Sequence, residues 1–184
     1  MRAFIAINCP DEIQHLIQKI RRRFKLHDDA WRWVPPENLH LTLRFLGNVS
    51  DDSVPALSKA MGFAVEGQVA FSLSIQGLGC FPHPARPRVL WMDIDDPDRI
   101  LHAIHRRLTQ SLSRLGFPPD NQSFRPHLTL ARTGKHIDKA ALQDLLTTYQ
   151  TCQFGMLTIA QIHLYRSELH RTGATHTILK SVDL

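Results

Sequence analysis

One tetrapeptide that occurs twice constrains this chain more than any other feature. His-Leu-Thr-Leu stands at residues 40–43 and again at residues 127–130. A chain of this composition is expected to carry two copies by chance about once in ten thousand cases. In a β-strand, residues two apart point to the same side. Each copy therefore predicts a strand with two leucines on an apolar core face and a histidine and a threonine on a polar cleft face.

His40 and His127 are the candidate catalytic residues of this polar face. Two imidazoles on opposite sides of a phosphate diester can act as a base on the incoming nucleophile and as an acid on the leaving oxygen. Thr42, Thr129 and a nearby arginine can stabilise the charge on the other phosphate oxygens. The sequence contains no HExxH, P-loop or GxSxG motif. We therefore expect neither a metal site nor a cofactor.

Hydrophobic periodicity along the chain predicts an α+β fold. The predicted strands are 2–8, 39–46, 71–75, 88–94, 125–132, 157–165 and 174–182, and the predicted helices are about 10–26, 51–65, 97–115 and 137–149. Prolines make residues 31–36 and 81–87 loops in this prediction. Short links between strands favour two mainly antiparallel sheets with helices outside. We expect one domain, residues 1–184, whose two interleaved lobes have pseudo-two-fold symmetry around a central cleft.

The composition narrows the class of partner and the compartment. The net charge of +5 favours anionic partners such as nucleic acid or phosphorylated metabolites. No apolar run approaches the roughly 20 residues that cross a bilayer, and the short apolar run 3–7 is not a signal peptide. The predicted location is the cytoplasm. Three widely spaced cysteines, Cys9, Cys80 and Cys152, favour free thiols over a disulfide framework or a zinc site.

The two motifs and their flanking segments resemble the 2H phosphoesterase superfamily. Within it, the chain is similar to the bacterial RNA 2′,3′-cyclic phosphodiesterases, also called 2′-5′ RNA ligases. The typical segments are Trp-Val-Pro-Pro-Glu-Asn-Leu at 33–39, Arg-Phe-Leu-Gly at 44–47, Pro-Arg-Val-Leu-Trp at 87–91 and Arg-Pro-His at 125–127. The resemblance extends from Arg2 to Lys180, and it implies a bilobal fold in which both motifs line the cleft.

The resemblance also implies an activity and a role for each motif residue. The implied reaction is metal-independent hydrolysis of a 2′,3′-cyclic phosphate, on RNA ends or small cyclic nucleotides, to a 2′-phosphomonoester. His40 is then the acid for the departing O3′, and His127 is the base that activates water. Thr42 and Thr129 hold non-bridging oxygens, and Arg132 binds the phosphate. Ligation of RNA through a 2′-5′ bond is the reverse type of step. Neither a membrane nor an obligate protein partner is implied.

The two candidate arginines differ in how they fit a regular strand. Strict alternation puts Arg132 on the face opposite to His127 and Thr129, so it reaches the cleft only where the strand ends or bulges. Arg125 shares the face of His127, although the neighbouring Pro126 can distort the strand. We retain both as candidate substrate-binding residues. The alternative for each is a solvated surface charge.

Other residues carry weaker signals. His102 and His105, three apart on a predicted helix, suit a metal or, more simply, a surface helix. The tripeptide 170–172 repeats His-x-Thr in a turn without the flanking leucines. Phe45, Trp33 and the arginines at 86 and 88 can stack on or clasp a nucleotide, but we expect core packing for Phe45 and Trp33. His83 is either a residue of the cleft rim or simply exposed.

Two further functions remain open from the sequence. One is an RNA- or nucleotide-binding module with weak or vestigial activity, which the two intact motifs argue against. The other keeps the fold and the chemistry but changes the substrate, for example to cyclic phosphates from tRNA splicing or from ADP-ribose. The identical motifs do not distinguish the acid from the base, so that assignment rests on the resemblance.

Overall fold

The computed structural model describes residues 1–22, 30–120, 123–134, 136–171 and 173–184. The strands are β1 (Arg2–Asn8), β2 (Trp31–Trp33), β3 (His40–Asn48), β4 (Phe71–Phe81), β5 (Val89–Asp95), β6 (His127–Thr133), β7 (Gln153–Ile159), β8 (Gln161–His170) and β9 (Gly173–Asp183). The α-helices are α1 (Asp11–Arg21), α2 (Val54–Val65), α3 (Ile100–Ser113) and α4 (Lys139–Thr148). Short 3-10 turns cover Pro36–Asn38 and Asp51–Ser53.

The strands of the described ranges form one antiparallel sheet in the order β7-β4-β5-β6-β3-β1-β8-β9, with β2 added on β6. Its centre is the pairing of the two motif strands, where Leu41 lies opposite Leu128. The order is symmetric about this point, so β3 corresponds to β6 and β1 to β5. The α+β class with mainly antiparallel strands is confirmed. The two sheets that the sequence predicts are the two halves of this sheet.

The helices pack against the face of the sheet that carries the motif leucines. Leu41, Leu43, Leu128 and Leu130 are each at most 2% exposed. Helix α3 buries Leu101, Ile104, Leu108 and Leu112, which follow the spacing of one helical face. The predicted separation into apolar and polar strand faces is therefore confirmed. The opposite face of the sheet carries the motif histidines and threonines.

Several element boundaries differ from those predicted, and the strand predicted as 71–75 extends to Phe81, the first residue of the predicted loop 81–87, because its backbone pairs with β5 up to Val89. Residues 31–33, predicted as a loop, form β2 because their backbone pairs with β6. The single predicted strand 157–165 is two strands, with a break at Ala160. The first helix ends at Arg21 and is capped by Arg22, and residues 23–26 of its predicted span lie outside the described residues. No helix in the described ranges is long and apolar enough to cross a membrane.

Candidate active site

The two motif strands carry the same irregularity at the same position. In β3, Thr42 lies opposite Ala6 and Arg44 opposite Ile5, so Leu43 is an extra residue. In β6, Thr129 lies opposite Trp91 and Ala131 opposite Leu90, so Leu130 is an extra residue. Each is a β-bulge, which reverses the alternation of the side chains that directly follow it. The last motif leucine and the residue after it are consequently both buried in each strand.

The bulge at Leu130 brings Arg132 onto the cleft face. Arg132 lies opposite Val89, which shares its face of β5 with Trp91 and thus with Thr129. Its side chain is exposed, and its charge is one of those that act on His40. The sequence analysis required a bulge or a strand end for Arg132 to reach the cleft, and the structure has this bulge.

The motif histidines and threonines lie on one face, around the Leu41–Leu128 pair. Continuing this antiparallel register by one residue on each side places His40 across from Thr129 and Thr42 across from His127. The two histidines are then diagonal neighbours, with Cα atoms about 7–8 Å apart. The charge of His127 acts on His40, consistent with this proximity.

Both histidines are oriented by the same kind of hydrogen bond. His40 Nδ1 lies 2.7 Å from the backbone oxygen of Asn38, and His127 Nδ1 lies 2.7 Å from that of Arg125. A carbonyl oxygen only accepts, so Nδ1 carries the hydrogen and donates in both rings. Each neutral imidazole therefore has its basic lone pair on Nε2. This geometry prepares both Nε2 atoms to take or give a proton.

The wall beside His40 is aromatic. Phe4 contacts the His40 ring with 4.8 Å between centroids, and His176 meets it edge-on at 5.4 Å. Tyr165 stacks on Phe4 at 5.0 Å. Burial first, and then the charges of His176, His127 and Arg132, lower the pKa of His40 from 6.5 to about 4, against the hydrogen bond to Asn38. The free protein therefore holds His40 neutral near pH 7.

The wall beside His127 is aromatic and charged. Phe81 and Trp91 contact the His127 ring with centroid distances of 5.1 and 6.0 Å. The guanidinium of Arg125 lies 4.2 Å from the Trp91 ring centroid and 3.1 Å from Asp93 Oδ2. Burial lowers the pKa of His127, while the hydrogen bond to the Arg125 carbonyl and the charge of Asp93 oppose that shift. Arg125 thus lies beside the site, and its guanidinium already contacts Trp91 and Asp93.

The position of Phe45 differs from the core packing that the sequence predicts. It follows the bulge at Leu43, lies opposite Phe4 and occupies in β3 the place that Arg132 occupies in β6. Its side chain is 62% exposed, so the prediction of core packing is wrong. Trp33, in contrast, is partly buried against the core as predicted.

Several residues of the site escaped the sequence analysis. Asn8 and Asp93 lie directly across the sheet from His40 and His127, His176 packs on His40, and Arg32 lies opposite Arg132 in β2. None belongs to a motif, and each reaches the cleft through strand pairing that local periodicity does not report. The one available signal was the number of histidines, 11 in 184 residues.

Other residues that the sequence analysis singled out lie in structural contacts or on the surface. His102 Nδ1 lies 2.7 Å from Asp96 Oδ2, and His105 stacks on Phe124 at 4.2 Å. Within the described ranges, no three His, Cys, Asp or Glu side chains are grouped to hold a metal ion. His83 is exposed, and of the repeat at 170–172 Thr172 lies outside the described residues. The cysteines are free thiols, as predicted, and Cys9 and Cys80 are buried.

Comparison with known proteins identifies the family. The family model of the 2′-5′ RNA ligase superfamily matches residues 9–171. The chain belongs to this superfamily. The resemblance drawn from the motifs is thereby confirmed.

Relatives and solved structures of the superfamily align over nearly the whole chain. The RNA 2′,3′-cyclic phosphodiesterase of Escherichia coli is 37% identical over 179 residues, which are 97% of this chain and 94% of that protein. The one from Methanothermobacter thermautotrophicus is 29% identical over 96% of this chain and 95% of its own. The crystal structure of E. coli LigT complexed with 3′-AMP has a TM-score of 0.79 and 30% identity, covering 100% of this chain and 97% of that one.

Proposed function

We propose that this member of the superfamily hydrolyses the 2′,3′-cyclic phosphate of RNA ends or small cyclic nucleotides to a 2′-phosphomonoester. The observation that carries the proposal is the Leu41–Leu128 pairing, which gathers both histidines and both threonines on one face of the sheet. The names of the relatives support the same reaction class. We treat residues 1–184 as one domain, and the three free thiols suit the reducing cytoplasm.

The two imidazoles divide the proton transfers. His127 Nε2 takes a proton from water as the water oxygen attacks phosphorus, and the P–O3′ bond breaks as His40 Nε2 gives its proton to O3′. The water oxygen thus becomes part of the 2′-phosphomonoester, and both protons are accounted for. A bound phosphate raises the proton affinity of His40, which the free protein holds neutral. The assignment of His40 as acid follows the family resemblance.

The remaining candidates bind the phosphate. The hydroxyls of Thr42 and Thr129 donate to the non-bridging oxygens, and Arg132 supplies a positive charge from the same face. Arg32 lies opposite Arg132, and like charges that face each other across strands suit an anion between them. Arg125 forms a salt bridge with Asp93, which neutralises part of its charge. We therefore retain Arg125 as a candidate for contacts with the nucleotide.

Ligation uses the same groups in the same roles, with a different nucleophile and with O3′ again as the leaving oxygen. A 5′-hydroxyl of RNA takes the place of water and attacks the cyclic phosphate, forming a 2′-5′ phosphodiester. The superfamily name supports this second activity. An assay that contains one RNA ending in a cyclic phosphate and a second RNA with a free 5′-hydroxyl tests this activity. The ratio of ligated to hydrolysed product gives the share of ligation in the total turnover.

Turnover of 2′,3′-cyclic AMP in the presence of excess chelator tests the proposal. We expect sustained hydrolysis with 2′-AMP as the product, and kcat lowered about 100-fold or more in His40→Ala and in His127→Ala. His83→Ala is the matched control, because His83 is exposed in a loop outside the motifs. A 3′-AMP product would mean that O2′, and not O3′, is the leaving oxygen. Binding without turnover would favour the alternative of a nucleotide-binding module.

A further inference from the structure

The two motifs are identical in sequence, but the residues that face their histidines are not. Asn8 lies opposite His40 across β1 and β3. Asp93 lies opposite His127 across β5 and β6. The symmetry of the sheet makes these two positions equivalent. Directly opposed residues of antiparallel strands have Cβ atoms about 5 Å apart, so each side chain is the nearest cross-strand neighbour of its histidine.

Asp93 gives His127 a negative neighbour. Its carboxylate is about one-third exposed and pairs with Arg125. A carboxylate this close favours the charged imidazole, while the guanidinium disfavours it. Both groups act on His127 in these senses.

Asn8 gives His40 a neutral neighbour that is held in one orientation. His163 is only 3% exposed, and its Nε2 lies 3.2 Å from Asn8 Oδ1. The amide oxygen only accepts, so Nε2 carries the hydrogen, and Nδ1 of the neutral ring accepts from the Ser181 hydroxyl at 2.9 Å. Burial lowers the pKa of His163, against the charge of Asp183, and supports this neutral form. The amide oxygen of Asn8 is thereby tied to His163.

We propose that Asp93 and Asn8 are positioning residues that make the two motifs inequivalent: Asp93 supplies a counter-charge to the imidazolium form of His127, and Asn8 leaves His40 without one. This proposal rests on the proposed function only in taking the two histidines as the reacting pair. The other charged or titratable groups that act on His40 are His176, His127 and Arg132, and each disfavours its charged form. No carboxylate of the described residues is among them.

The consequence is an order of protonation within the pair. The proposal predicts that, as the pH falls, His127 takes up a proton before His40 does, so that between the two titrations His127 is charged and His40 is neutral. This is the arrangement left after hydrolysis, when His40 has given its proton and His127 has taken one. It is also the arrangement from which the reverse of hydrolysis starts, in which O3′ gives its proton to His40, attacks phosphorus and closes the cyclic phosphate while His127 protonates the departing water.

Titration of the imidazoles by heteronuclear NMR tests the proposal without any substrate. Spectra of His40→Ala and His127→Ala assign the two rings. We expect Asn8→Asp to raise the midpoint of His40 by about one pH unit and Asp93→Asn to lower that of His127 by about one unit. The double variant should narrow the gap between the two midpoints or reverse their order.

Matched controls separate this effect from net charge. Asn48→Asp makes the same change at the other end of the β1–β3 ladder, opposite Arg2, and Asp95→Asn makes the other change two residues along β5. Both should leave the midpoints within about 0.3 unit. If Asp93→Asn does not fold, Arg125→Gln replaces it and should raise the midpoint of His127, because it removes the competing cation. Midpoints that move no more than in the controls would overturn the proposal.

Kinetics distinguish failure of this proposal from failure of the proposed function. Normal turnover in His40→Ala or His127→Ala would refute the two-histidine mechanism, whatever the titrations show. If both variants are inactive but Asn8→Asp and Asp93→Asn leave the titrations unchanged, the mechanism stands and the positioning role is refuted. With both ideas correct, Asn8→Asp raises the acid limb of the kcat/KM profile and Asp93→Asn lowers its basic limb.

Discussion

Replacing His40 by glutamine should make the stability of the protein less sensitive to acid. Burial, then the charges of His176, His127 and Arg132, lower the pKa of His40 from 6.5 to about 4 in the folded state. Between these values the unfolded chain binds a proton that the folded protein does not bind. The free energy of unfolding therefore falls as the pH falls through this window. Glutamine does not titrate, so the variant lacks this contribution.

The size of the effect follows from the two pKa values. A shift from 6.5 to about 4 corresponds to a loss of about 3 kcal/mol by the acid end of the window, at about 1.4 kcal/mol per unit. The steepest slope from this one residue is about 1.4 kcal/mol per pH unit. His105, His127, His163 and His176 also have lowered pKa values and add slope in both proteins. The quantity to compare is thus the difference between variant and wild type.

Urea unfolding, followed by tryptophan fluorescence between about pH 4.5 and 7.5, measures this difference. We expect the free energy of unfolding of wild type minus that of the variant to fall by about 2–3 kcal/mol from the neutral to the acid end. His83→Gln, which removes an exposed histidine in a loop, is the matched control. Parallel curves for His40→Gln would refute the reasoning, because they would mean that His40 binds its proton equally well in the folded and unfolded states.

Three further variants test the two walls of the cleft. A Cβ at Gly79 would overlap the Trp91 ring, so Gly79→Ala should lower the free energy of unfolding by about 1–3 kcal/mol in urea; an unchanged midpoint would show that the ring has room to move. Arg132→Gln should raise the KM for 2′,3′-cyclic AMP about tenfold or more in steady-state assays, and an unchanged KM would remove Arg132 from phosphate binding. Phe45→Ala should alter stability by less than about 0.5 kcal/mol but raise the same KM about fivefold or more if the base stacks there; an equal KM would place the base elsewhere.

The sequence alone was enough for the local features of the motif strands. The two-residue period assigned Leu41 and Leu128 to the core and His40 and His127 to the opposite face, and the structure confirms the burial of the leucines. The same reasoning placed the helices, because an amphipathic period depends only on neighbours along the chain. The repeated tetrapeptide was too improbable by chance to be without function, and together with its flanking segments it indicated the family before any comparison.

Only the tertiary structure determined what surrounds the two histidines. The bulges at Leu43 and Leu130 turn Phe45 and Arg132 onto the cleft face, and a bulge exists only relative to a partner strand. The same holds for Asn8, Asp93 and β2, which contact the motifs through pairings distant in sequence. Local periodicity reports which face a side chain takes along one strand. The register between strands sets its neighbours, and those neighbours distinguish two motifs that are identical in sequence.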